Sequence, residues 1–157
     1  MSEAMQFTSL RGVKPRLVED DRLGGVLNVA VSQAMDRRIE ALMALKKPLL
    51  KALARAGHTH SVQDVADMIA RDAVQFFGNE RGACITEVIN YPRRRVLNCW
   101  LTFGELEACL ALQPAMEAYA RECGCNALVA TGREGWLPAL EKQNWRRFGF
   151  VMARELG

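Results

Sequence analysis

Histidine is nearly absent from this chain: His58 and His60 are the only two in 157 residues. Tyrosine is as scarce, at Tyr91 and Tyr119, and aromatics make up 7%. Five cysteines occur, at 84, 99, 109, 123 and 125, but no two form a C-x-x-C pair. Cys123-Gly124-Cys125 is the tightest spacing, and neighbours that close rarely bridge or share a metal ion. With both histidines remote in sequence from every cysteine, a zinc site is excluded on spacing, and reduced thiols in a cytosolic setting are expected. They read best as buried small apolar groups. No run reaches the roughly 18 apolar residues of a membrane span. The opening MSEAMQFTSLRG has no apolar stretch of the kind a signal peptide carries.

What is present is an ordinary globular composition, 50% hydrophobic and 25% charged, in a length that suits one domain with an appended arm. A dedicated nucleic-acid binder usually carries a denser basic footprint, so the net charge of +3 does not by itself argue for one. It is also uneven: residues 1–60 hold 10 basic and 6 acidic groups, residues 61–157 hold 11 and 12. We divide the chain into a helical arm, 1–57, and a domain, 58–157. Residues 1–22, with Gly12, Pro15 and Glu19-Asp20-Asp21, read as extended. Over 23–56, Val26, Val29, Ala30, Met35, Ile39, Leu42, Leu45 and Leu49 recur at helical spacing. Pro48 predicts a break near Lys46–Lys47, and Gly57 a stop. The apolar stripe must be buried, at home or on a partner. Lys46, Lys47, Lys51 and Arg55 make a basic face, either solvated or a contact for nucleic acid or an acidic protein.

In the domain, Ser61 caps a helix with Asp64 as its capping-box acid. A strand over Ala73–Phe77, turn chemistry at 78–82, a second strand Ala83–Asn90, the turn Tyr91-Pro92-Arg93-Arg94 and a third strand Arg95–Phe103 predict an antiparallel meander. Helices follow over Glu105–Leu112 and from Gln113-Pro114 to Cys123, stopped by Gly124. Asn126–Thr131 reads as a short buried strand, Trp136–Gln143 as a short helix, and Trp145–Leu156 as a closing strand. The order predicts an α+β fold: a mixed, mainly antiparallel sheet flanked by helices.

From Ser61 to Gly157 this order resembles the GNAT acyltransferase superfamily, most closely at the ending Asn144-Trp145-Arg146-Arg147-Phe148-Gly149-Phe150. The strings Thr86-Glu87-Val88-Ile89-Asn90-Tyr91-Pro92, Gly124-Cys125 and Gly132-Arg133-Glu134-Gly135-Trp136 resemble small GNAT-like proteins of tailed phages and prophages, some described as internal virion proteins. The resemblance implies an acyl-CoA site in which backbone amides of a glycine-rich loop at a helix start hold the pyrophosphate.

The corresponding stretch, Thr102 to Cys109, departs from that pattern. It has one glycine, Gly104, and two carboxylates, Glu105 and Glu107, where phosphate charge would arrive. Each such pair repels by on the order of 1 kcal/mol in partly wet surroundings. The catalytic candidates are Glu87 as a base and Tyr119 as an acid; Cys99 and Cys109 have no nearby histidine to activate them. If acyl-CoA binds, the backbone of Leu101, Thr102, Phe103 and Gly104 would hold the pantetheine arm. The expectation is therefore a GNAT-fold protein without acetyl transfer or cofactor. It would act as a structural or interaction component of a phage virion or its assembly, through a homo-oligomer or other virion proteins bound by the arm. The alternative is an N-acyltransferase with a divergent loop.

Overall fold

The computed structural model describes residues 37–149 and 151–157. The expected extended segment, and the start of the arm helix up to residue 36, lie outside the described residues. Helix α1 runs through residues 37–44 and α2 spans Lys46–Arg55. The break falls at Leu45, one residue ahead of the expected place. Pro48 explains it: it has no amide for the Ala44 carbonyl, and its ring crowds that oxygen. Leu49 resumes the ladder by donating to the Leu45 carbonyl at 2.9 Å. Gly57, at φ +79°, ends α2. Its amide donates to the Ala54 carbonyl at 3.2 Å and that of His58 to the Leu53 carbonyl at 2.9 Å, the Schellman pattern.

Leu42, Leu45, Leu49, Ala52 and Leu53 lie in the same buried cluster as the sheet residues Phe76, Ala83, Ile85, Leu101 and Phe103. This part of the apolar stripe packs at home, each leucine contributing about 2 kcal/mol by leaving water. Lys46, Lys47, Lys51 and Arg55 stay exposed on the opposite side.

Helix α3, Val62–Ala70, begins with a full capping box. The Asp64 amide donates to Ser61 Oγ at 3.1 Å, and the Asp64 carboxylate accepts from the Ser61 amide at 2.7 Å. The sheet follows as β1 (Gln75–Gly78), β2 (Gly82–Tyr91), β3 (Arg94–Gly104) and, later, β4 (Ala127–Ala130), in the order β1-β2-β3-β4. The first three strands form the expected antiparallel meander; β4 joins β3 in parallel, which requires the crossover through α4 (Leu106–Leu110) and α5 (Gln113–Glu122). Pro114 sits in the first turn of α5, and Gly124, at φ +70°, ends it. A 3-10 turn, Glu134–Trp136, leads into the short helix α6, Leu137–Glu141. The result is a mixed α+β sheet with α1–α3 over one face and α4–α5 over the other.

Two expectations are corrected. The closing strand over Trp145–Leu156 does not form: residues 145–149 and 151–157 join no sheet. Consecutive side chains there are claimed by contacts that an alternating strand would not satisfy. Trp145 Nε1 donates to Gln113 Oε1 at 3.0 Å, Arg146 lies over Phe148, and Arg147 pairs with Glu134. Consequently β4 is half-buried rather than buried, because among the described residues no strand covers its outer edge.

The hydrogen bonds from the Ser61 hydroxyl and then its amide hold the Asp64 carboxyl below the usual carboxylate range. A carboxyl lowered on folding stabilises the fold above its unfolded value and loses that contribution as pH falls through its folded value. Ser61→Ala should lower stability by about 1 kcal/mol at pH 7. It should also flatten the acid limb below about pH 4, read by urea denaturation across pH.

Candidate functional site

The site is set by where β3 and β4 part. Their parallel register runs from Val96↔Ala127 to Cys99↔Ala130 and stops. Beyond it, residues 101–104 of β3 remain paired with β2 on one side only. Trp100 is the pivot: Thr86 faces Cys99 and Ile85 faces Leu101, so Trp100 is an extra residue bulged out of the ladder. The bulge bends β3 just where β4 ends. Trp100 packs its ring against His60, with centroids 4.9 Å apart, and its indole nitrogen is buried without a partner among the described residues.

The divergence opens a pocket on the α4–α5 face. Its walls are Cys84, Cys99, Thr102, Cys109 and Met116, and it is closed by Trp136, Leu140 and Trp145. The free volume is about 50 Å³, room for one or two water-sized groups. A polar relay fixes one of the closing residues. Trp145 donates to Gln113, Gln113 Nε2 donates to Glu117 at 2.8 Å, and Arg121 donates to the same carboxylate at 3.1 Å.

The thiols here are inert as nucleophiles. Hydrogen bonding with Cys99, then burial, pushes the Cys84 thiol well up; Thr102 Oγ1 lies 3.3 Å from its sulfur. Burial pushes Cys109 up to about 12, and its sulfur lies 3.3 Å from the Phe103 carbonyl oxygen. Both stay protonated at neutral pH, whereas a nucleophile must be a thiolate. The described residues hold no cluster of three or more His, Cys, Asp or Glu that suits a metal ion.

The start of α4 is closed by the β1–β2 hairpin. Asn79 Oδ1 accepts from the Arg81 and Gly82 amides at 3.0 and 2.9 Å, while Asn79 Nδ2 donates to the Ala108 carbonyl at 2.8 Å. The Glu105 amide donates to the Arg81 carbonyl at 2.9 Å. Gly104, at φ +104°, is pressed on this turn: a Cβ there would overlap the Arg81 carbonyl oxygen and lie 2.6 Å from Gly82 Cα. Its glycine thus serves the close approach of two backbones.

Glu105 and Glu107 sit at the start of α4 as expected, one at its N-cap and one in its first turn. Glu105 and Glu107 are exposed, Glu105 pairs with Arg81 at 3.0 Å, and neither lines the pocket. The pocket is filled by apolar bulk rather than by negative charge. Glu87 is half-buried and accepts from Asn98 Nδ2 at 3.1 Å. Strand alternation puts it on the Ile85 face, opposite the pocket-lining Cys84. Tyr119 is a core residue, its ring edge-on to Phe77 at 5.7 Å. Leu101 and Phe103 point into the α1–α3 core, and Thr102 lines the pocket. The fold therefore does not bring Glu87 and Tyr119 together with Leu101–Gly104 in one cleft. Sequence reading missed Gln113 and Leu140 as wall residues, since a lone Gln at a helix start and a Leu in a short helix carry no signal of a pocket.

No family model matches the chain, and no curated relative matches it by sequence. Solved structures do match by shape. A protein from Thermus thermophilus superposes with a TM-score of 0.56 at 19% identity, over 76% of this chain and 93% of its own. A probable acetyltransferase gives 0.55 at 14% identity, over 75% and 92%. An acetyltransferase from Trypanosoma brucei gives 0.50 at 20% identity, over 69% and 93%. Two of these three are named as acetyltransferases, and the chain shares their fold, a mixed sheet flanked by helices of the GNAT type. No described helix is long and apolar enough to cross a membrane.

Two outcomes are expected. Ellman's reagent at pH 8 should label Cys125, the one partly exposed thiol, ahead of the buried four, which should react only after unfolding. Gly104→Ala should cost about 3 kcal/mol in chemical denaturation, from the strained φ and the overlap with Arg81.

Proposed function

We propose that this chain is a GNAT-fold protein that does not transfer acetyl groups and instead serves as a structural or interaction component. One observation carries the reading. Where the sheet strands part, Trp136, Leu140 and Trp145 line the space on the side away from β2, and what remains admits only a few water-sized groups. Three further features agree with it. The pocket wall offers thiols held protonated. Glu87 and Tyr119, the candidate base and acid, lie away from the pocket. The helix start that would meet phosphate lies against the β1–β2 hairpin, which takes the Glu105 amide, and it carries two carboxylates. The partners under this reading are other protein chains, engaged as a homo-oligomer or in a larger assembly through the N-terminal region. The support for a phage particle as the setting is the resemblance of the strings around Glu87–Pro92 and Gly132–Trp136.

A second reading, an acyl-CoA-dependent N-acyltransferase, is favoured by two observations. The chain's structural neighbours include proteins named as acetyltransferases. The backbone of residues 100–104 on the side facing away from β2 lies beyond the end of β4, where a pantetheine amide would find donors and acceptors.

Calorimetry of the full chain with acetyl-CoA separates them. The proposal expects no heat of binding at millimolar ligand. A dissociation constant below about 100 µM, roughly −5.5 kcal/mol, would replace it with the acyltransferase reading.

A further inference from the structure

Two basic runs, far apart in sequence, meet at one end of the sheet. Arg93-Arg94-Arg95 lie at the turn between β2 and β3; Arg146-Arg147 follow α6. The fold sets Arg94 Cζ 5.9 Å and Arg146 Cζ 5.1 Å from the centroid of one ring, Phe148. That ring is 68% exposed, so it serves no core. A groove of about 430 Å³ runs beside it, with Arg94, Ala127, Leu128, Arg146 and Phe148 among its walls. Arg147 is paired with Glu134 at 3.3 Å. Among the described residues no carboxylate pairs with Arg93, Arg94, Arg95 or Arg146. Glu117, paired with Arg121, is the one carboxylate on the groove wall among the described residues, so this end carries more positive than negative charge, although the chain as a whole carries only +3. Beyond about 8 Å in physiological salt, acidic groups elsewhere do not cancel it.

We propose that this surface binds single-stranded nucleic acid, with phosphates on the arginines and bases against Phe148 and the guanidinium planes. The chemistry of the patch selects this partner. All five cations are arginines, whose planar forks match phosphate and stack on flat rings. An acidic protein would also meet the charges, whereas the exposed ring between two guanidinium planes matches the flat face of a base. A base supplies a π-face to that ring whatever its identity, so binding should be tolerant of sequence. The groove wall is mainly polar, with Gln113, Gln143 and Asn144 beside Ala127 and Leu128, and the exposed Phe148 ring suits an unstacked base better than the outside of a duplex.

The test is fluorescence anisotropy of a fluorescein-labelled oligothymidylate with the full chain, across a salt series. Binding should weaken steeply with salt. The Arg94→Ala/Arg146→Ala double variant should weaken it on the order of tenfold and lower the log–log salt slope by about 1.4, near 0.7 per lost phosphate contact. Phe148→Ala should weaken it roughly five- to a hundredfold while leaving the slope unchanged, the signature of lost stacking. The Lys46→Ala/Lys47→Ala variant, on the other basic face, should bind as the parent does. Far-UV circular dichroism matched to the parent qualifies each variant, and Phe148, being exposed, keeps the test decisive if the arginine variant misfolds. The proposal is overturned by an absence of binding at about 20 mM salt. It is equally overturned by binding lost only in the lysine variant, or by a surface that takes poly-glutamate but not the oligonucleotide.

Discussion

Strand β3 is the member on which the rest of the molecule depends. It is paired on both sides over its first half, antiparallel to β2 and parallel to β4, and both cores are built on its two faces. Leu101 and Phe103 anchor the cluster beneath α1–α3; Leu97 and Cys99 anchor the one beneath α5. A strand so shared cannot shift register without moving both helical layers, because a one-residue slip exchanges its faces. The single irregularity it carries, the bulge at Trp100, exchanges its faces, so that Leu97 and Cys99 enter one core and Leu101 and Phe103 the other, and it falls where the pairing with β4 ends. The divergence of the sheet is therefore a property of one inserted residue on the central strand.

What fills the divergence follows from the chain after β4. Residues 145–149 do not return as a strand, and Trp145 is instead drawn inward by Gln113. With Trp136 and Leu140 from the preceding turn and helix, it lines an apolar pocket whose wall includes Cys84 and Cys109, thiols pushed up by the Cys99 hydrogen bond and by burial respectively. The same departure leaves Phe148 outside, between Arg94 and Arg146. One local event thus empties the sheet edge of a strand, plugs the space between β3 and β4, and assembles the basic aromatic end.

Much of the fold was legible in the residues because local signals agreed with the global result. Ser61 and Asp64 announced α3, Gly57 and Gly124 marked helix ends, and Pro92 with its neighbours separated β2 from β3. The meander and the crossover to β4 followed from short links and helical spacing. The closing strand was misread because Trp, Phe and Val at 145–151 have strand propensity, while the contacts that overrode it lie on α5 and the 3-10 turn. The site was only partly legible. The single glycine at 104 was visible, but its use, a close approach to Arg81 and Gly82, belongs to a neighbouring hairpin. The obstruction of the pocket was expected from Glu105 and Glu107, and the structure supplies it from Trp136, Leu140 and Trp145 instead, residues that lie well downstream in the chain.

Trp145, bonded to Gln113, lines the pocket between β3 and β4 together with Trp136 and Leu140, and under the proposed reading this apolar bulk leaves no place for a coenzyme thioester. A crystal structure of the full chain grown with millimolar acetyl-CoA addresses it directly. The account predicts the two indoles and Leu140 in place between β3 and β4, with Trp145 still bonded to Gln113. Continuous density for a pantetheine arm along residues 100–104, with Trp145 swung out to admit it, would contradict the account.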